Sequence, residues 1–247
     1  MLIDNNANVS AEDDRGNTAL VEACNICDED TERMVSMLLE AGAKAVPEAL
    51  LRAVDRRDGA RLAAMLLEKN ANPNVKYGGT PVLIHACKRQ ETGDVAMALV
   101  EAGADVNAAD TDGTTPLLHA VTEEFADVAQ LLLEQRADPN VKDADGTPVL
   151  TLACRIHDFV NPAAQKMGMA LVKAGANVNA ADKDGITPLL HAISSTQETV
   201  ALLLLENGAD VNCVDKDGND AMALAESIGL VLSVRLQGAL RARSASS

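Results

Sequence analysis

Apolar positions along this chain fall into two kinds of short run that alternate. The first kind is a compact apolar block directly behind a Thr-Pro pair, as at Thr115–Pro116 and Thr187–Pro188. The second is amphipathic: between Asp127 and Leu133, the residues Val128, Leu131 and Leu132, with Ala129 between them, form one stripe at helical spacing. Both runs predict helices, and neither can bury its stripe alone. Between them lie polar turn residues such as Asp110 and Gly113, and an alanine closes each unit. That alanine recurs at Ala71, Ala104, Ala137, Ala176 and Ala209, at intervals of 33, 33, 39 and 33 residues.

The repetition extends to whole segments. GADVNAADTDGTTPLLHA from Gly103 returns as GANVNAADKDGITPLLHA from Gly175. Gly113, Gly146, Gly185 and Gly218 fill a turn position where a side chain would be strained. Thr115 and Thr187 are placed to cap the first helix, and Pro116 and Pro188 sit in its first turn, where the missing N–H costs nothing. A longer period lies above this one, because segments opening NPNVKYGGTPVL at Asn72 and DPNVKDADGTPVL from Asp138 are each followed by a TPLLHA unit. A two-repeat block has been duplicated.

A 33-residue period with a TP-led helix resembles the ankyrin-repeat family, and the resemblance runs from about Asn8 to about Ala242. It implies an all-α solenoid of stacked helix-turn-helix units with β-hairpin or turn fingers. On this reading residues 1–7 are a partial repeat or N-terminal cap, resembling the second-helix segment at Leu203. Full repeats occupy 8–43, 72–104, 105–137 and 177–209. Residues 44–71 are a degenerate repeat lacking a full hairpin, and 138–176 is a repeat with about six extra residues between its helices, around Ile156 to Pro162. A C-terminal capping repeat spans 210–242, and 243–247 form a disordered tail. The TPVL repeats slide the Thr-Pro pair one position toward the hairpin, so their fingers are expected to differ.

The resemblance further implies noncatalytic protein binding through the hairpin tips and the concave surface of the first helices. Carried over by position, it selects Ala109, Thr111, Asp112, Thr114, Thr122 and Glu123 in one repeat. In the next it selects Lys142, Ala144, Asp145, Thr147, Arg155 and Ile156, and then Ala181, Lys183, Asp184, Ile186, Ser194 and Ser195. Earlier repeats hold Arg56 with Arg57, and Lys88 with Arg89, at the helix-end positions. With Arg155 these suggest a basic stripe for an acidic or phosphorylated segment of a protein partner. The competing explanation is that cations near helix C-termini favour the helix dipole. Phe159, in the one insertion without a family equivalent, is a further candidate contact.

Composition narrows the function. There are 21 basic against 37 acidic residues, a net charge of −16, which opposes general nucleic-acid binding. Aromatics are only 1% of the chain, so the core must be aliphatic and contacts must be mostly polar and aliphatic. Five cysteines without a dense framework favour a reducing compartment, cytoplasmic or nuclear, and no stretch is long enough to insert into a membrane. No cofactor motif is present.

The DxDG tetrads at Asp110, Asp143, Asp182 and Asp215 lack the distal ligands of a calcium loop and read as turns. Cys24 and Cys27 form a lone CxxC without a second pair, and Cys24, Cys87 and Cys154 share one repeat position, which normally holds a small packed residue. His85, His119 and His191 likewise share one position, whereas His157 lies near Cys154 without the geometry of a nucleophilic pair. Asn107, Asn140, Asn179 and Asn212 are expected to tie each hairpin to its loop; asparagines here are sometimes hydroxylated in the family. Two other readings stay open beside the adaptor: a targeting module of a larger enzyme, channel or ubiquitin ligase, and an inhibitor that occludes its partner's site.

Overall fold

The computed structural model describes residues 8–26, 30–56, 59–88, 93–156, 162–227 and 234–244. Arg57, Arg89, Phe159, His157, Cys27 and the expected half-repeat at 1–7 lie outside them. The chain divides into two compact units, residues 1–111 and 112–247. Each is an all-α stack of antiparallel helix pairs.

Unit 1 holds α1 (Ala19–Asn25), α2 (Thr31–Glu40), α3 (Pro47–Val54), α4 (Ala60–Glu68), α5 (Val82–Cys87) and α6 (Gly93–Glu101), with the two-residue strands β1 (Lys76–Tyr77) and β2 (Thr80–Pro81) before α5. The first helices α1, α3 and α5 pack in one row and the second helices α2, α4 and α6 in another. Unit 2 repeats the plan with α7 (Pro116–Thr122), α9 (Val149–Arg155), α11 (Pro188–Ser194) and α13 (Ala221–Ser227) in its first row. Its second row is α8 (Ala126–Glu134), α10 (Pro162–Lys173), α12 (Glu198–Glu206) and α14 (Val234–Ser244).

Position in the stack explains the two apolar patterns. A first-row helix has neighbours on several sides, so α7 buries Pro116, Leu117, Leu118, Ala120 and Val121. Its partner α8 buries only the stripe Val128, Ala129, Leu132 and Leu133 and leaves Asp127 and Glu134 in solvent, with Leu131 half-buried. Each buried leucine contributes roughly 1.5–3 kcal/mol, and the core contains no aromatic residue among the described residues.

The recurring alanine has a backbone reason. The N–H groups of Ala71, Ala104, Ala137, Ala176 and Ala209 each donate at 2.9–3.0 Å to the carbonyl of the leucine five positions earlier, and Ala43 does the same to Leu38. This is the closing bond of a Schellman turn, and the residue before each alanine must be left-handed. Gly103 supplies that conformation at φ +88°, whereas Asn70 (φ 62°) and Arg136 (φ 67°) adopt it without being glycine.

First helices are entered in two ways. Thr115 caps α7 by accepting from the Leu118 N–H at 3.3 Å, and Thr18 caps α1 through Val21. Thr187 has the same extended backbone before α11, but its side chain makes no cap bond, and its buried hydroxyl lacks a partner among the described residues. In the TPVL repeats the shifted prolines, Pro81 and Pro148, become the N-cap residues of α5 and α9. A proline side chain caps nothing, so the hairpin supplies the acceptor: Val82 N–H donates to Val75 O and Val149 N–H to Val141 O, both at 2.9 Å. The arms pair as β1–β2 in one repeat and as the Lys142–Pro148 bridge in the other. Gly78 and Gly79, at φ 57° and 86°, close β1–β2 in the doubly left-handed turn that suits a tight hairpin.

Three expectations about irregular segments are refined. Residues 44–46 lead straight into α3 with no hairpin, and Pro47 occupies its first turn. Part of the extra length in the Arg155 repeat is helical, since α10 has twelve residues against nine in α8. At the C-terminal end α14 continues to Ser244, two residues into the stretch expected to be a tail.

Candidate interaction surface

In unit 2, three hairpin fingers share one internal scaffold. The carboxylate Oδ1 of Asp143 accepts the N–H groups of Asp145 and Thr147, at 3.0 and 2.8 Å. Asp182 does the same for Asp184 and Ile186, both at 3.0 Å, and Asp215 for Asp217 and Asn219 at 2.9 and 2.8 Å. The tetrad aspartates are thus turned inward onto the backbone. The side chains at the tips point the other way: Ala144 and Asp145, Lys183 and Asp184, and Lys216 and Asp217 are all exposed.

Asparagines set the spacing between fingers. Asn140 Oδ1 accepts from Asn177 N–H at 2.8 Å, and Asn179 both accepts from Asp210 N–H at 2.8 Å and donates to Gly208 O at 3.2 Å. In unit 1 Asn74 forms the same double link with Asp105 N–H and Gly103 O. Of the four asparagines expected to tie hairpin to loop, Asn140 and Asn179 show the side-chain bonds, and Thr151 adds one to Ala180 O at 3.0 Å.

Electrostatics reinforce the fingers. Burial by itself raises the Asp182 carboxyl, but the 2.8 Å contact with His191 Nε2 and the backbone N–H groups outweigh it and hold the group below the ordinary value. Asp13 and Asp215 are also lowered, chiefly by backbone N–H groups of Asn17 and Asn219 respectively. The shared cysteine position is a packing position: burial pushes Cys87 and Cys154 up to about 12 and Cys24 to about 11, which disfavours the nucleophilic thiolate.

The candidate residues at the first-helix ends separate into two groups. Lys88 in unit 1 and Glu123 and Arg155 in unit 2 are exposed. Thr122 is exposed, but its hydroxyl donates back to Leu118 O and His119 O. Ser194 is half-buried and donates to His191 O. Ser195, expected at the surface, is only 2% exposed and gives its hydroxyl to Arg155 O at 3.3 Å, so it offers a partner nothing. Ile156 is half-buried, and its carbonyl accepts from the Gln197 side chain. Arg56 is half-buried as well. Its guanidinium donates to Cys24 O at 3.3 Å and to Ile26 O, closing the end of α1. Of the remaining positions, Thr111 in unit 1 and Asp112 and Lys142 in unit 2 are exposed, Ala109, Thr114, Ala181 and Ile186 are half-buried, and Thr147 is buried.

Two features escaped the sequence reading. The third unit 2 tip, Lys216–Asp217, was signalled by the DKDG it shares with Lys183–Asp184. The other is Tyr77, 63% exposed at the end of β1, whose signal was its standing as the chain's single tyrosine.

No helix of the described residues is long and apolar enough to cross a membrane. No curated protein matches the chain. The family described as ankyrin repeats, in three copies, matches residues 50–143 and 137–215, more than half of the 247. Ankyrin repeats are in general protein–protein interaction modules and typically noncatalytic. With its 33-residue period, paired helix rows and pinned fingers, the chain belongs to the ankyrin-repeat family.

Proposed function

We propose that this protein is a noncatalytic adaptor or scaffold that holds a protein partner across its fingertips and first-helix ends. The observation that carries this reading is the trio of unit 2 fingers. Their backbones are fixed by Asp143, Asp182 and Asp215, while the tip side chains at 144–145, 183–184 and 216–217 take up solvent-facing positions that packing does not require. Pre-organised loops lose little entropy on binding, so even polar and aliphatic contacts can yield useful affinity. An aromatic-poor surface needs that advantage.

In unit 2, Arg155 with Lys183 and Lys216 at the tips favours an acidic or phosphorylated segment in the partner, and in unit 1 Lys88 is an exposed cation of the same kind. Arg56 is a weaker candidate than Lys88 and Arg155, because its donors already serve Cys24 and Ile26. The test is quantitative capture with the wild-type chain beside a Lys88→Glu/Arg155→Glu variant of unchanged thermal midpoint. Proteins retained by the wild type and lost by the variant support the reading. Identical retention by both baits removes the basic helix ends from it.

A further inference from the structure

We propose that His85 makes the unit 1 finger acid-labile: the neutral imidazole holds the β1–β2 hairpin against α5, and on protonation the ring leaves its place and the hairpin comes away while the helix rows stay folded. This is a conformational change of the chain itself and stands apart from the adaptor reading. The hairpin is short, with Lys76 opposite Pro81 and Tyr77 opposite Thr80. From Asn72 to His85 the sequence contains no acidic residue, so this finger lacks the aspartate that organises the others. In the repeat 177–209 that aspartate, Asp182, accepts two finger N–H groups on Oδ1 and meets His191 Nε2 with Oδ2 at 2.8 Å. At the equivalent His85 the Tyr77 ring stands in place of the carboxylate. It meets the imidazole edge-on, with centroids 6.3 Å apart and planes at 64°, and so fastens the outer arm of the hairpin to α5.

An aromatic edge cannot receive what a carboxylate can. His85 Nε2 is buried and has no hydrogen-bond partner among the described residues. A neutral ring merely leaves a lone pair unused there, whereas a protonated ring would bury a charged N–H without an acceptor, which costs far more. Burial is accordingly the largest influence on this group and pushes it below its ordinary 6.5. Asp55, at the end of α3, and the Tyr77 backbone on β1 oppose that shift, and Lys88, at the end of α5, adds to it. Within unit 1 no charged side chain of α6 acts on His85, and β2 (Thr80–Pro81) carries none. Asp55 acts from beyond hydrogen-bond distance of Nε2, so it draws the proton without accepting the N–H. His85 is only half-buried, so a change of rotamer takes the charged ring to water. The hairpin then loses its fastening, because Tyr77 is otherwise 63% exposed.

The chain has one tyrosine and no tryptophan, so its own fluorescence reports on Tyr77 alone. The experiment follows tyrosine emission, far-UV circular dichroism and the amide NMR signals of residues 76–80 on the full chain from pH 7.5 to pH 5. The expected result is that emission and hairpin amides change along one titration curve with a midpoint below 6.5, while the helical signal stays constant. His85→Gln should lose the transition, Asp55→Asn should move it to lower pH, and His191→Gln should leave it in place. If His85→Gln fails to fold, the imidazole C–H signals of His85 in the wild type must titrate with the same midpoint as the tyrosine emission. A flat emission curve, a transition that survives in a folded His85→Gln, or a hairpin change that coincides with loss of the helical signal would overturn the proposal.

Discussion

The side-chain amide of Gln197 donates to the carbonyl of Ile156 at 2.6 Å, across a sequence separation of 41 residues. The same nitrogen also reaches Ala153 O and Cys154 O. These are the orphan carbonyls at the end of α9, where Ile156 leaves in an extended conformation (ψ 123°). In unit 1 the chain leaves α1 in the same way at Ile26 (ψ 134°), and Arg56 serves the carbonyls of Cys24 and Ile26. Where a first helix instead ends in a left-handed residue, as at Glu124 and Thr196, the following N–H closes the turn within the backbone. A side chain from the next repeat thus replaces a missing backbone bond.

Gln197 is 1% exposed, so its removal strands buried carbonyls. Gln197→Ala should cost about 1–3 kcal/mol in urea unfolding. Arg56→Ala should act in the same direction with a smaller effect, because its site is closer to solvent. A Gln197→Ala variant with the wild-type midpoint would mean that the cross-repeat cap does not stabilise the fold.

Arg136 predicts the opposite sign. A left-handed backbone costs a non-glycine residue roughly 1–2 kcal/mol, partly offset by the extra chain entropy glycine loses on folding. Arg136→Gly should therefore raise stability by about 0.5–1 kcal/mol. Asn70→Gly should gain less, since asparagine tolerates this conformation better. Urea midpoints of the two variants against wild type check both the sign and the order.

Acid should weaken the fold in two stages. Burial, the largest influence, holds His85 below its ordinary 6.5, with Asp55 opposing. As pH falls from 6.5 the unfolded chain therefore takes up this proton first, and stability declines until the folded state is protonated too. Asp13, Asp182 and Asp215 are lowered from 3.8, so their contribution is present above that value and is lost as pH falls through their folded values. Urea midpoints measured from pH 8 to pH 3 should show both declines. His85→Gln should lack the first, and Asp182→Asn should weaken the second.

Much of this was legible in the sequence because it is local. The period, the alanine, the Thr-Pro helix starts and the DxDG turns depend on residues within one repeat, and their hydrogen bonds span only a few positions. The jobs of Arg56, Gln197 and Ser195 depend on a neighbouring helix end brought close by stacking, with partners 30 to 44 positions away. In the sequence Arg56 looks like a surface cation, and Ser195 like a surface hydroxyl. Neither residue type reveals which carbonyls the packing of repeats leaves open.

On the proposed function, a protein partner engages the fingertips and first-helix ends. Hydrogen–deuterium exchange of the chain with and without a captured partner maps that contact. New protection is expected on the finger segments 142–147 and 183–186 and on the ends of α5 and α9. Protection confined to the outward faces of α8, α10 and α12, with the fingers unchanged, would contradict it.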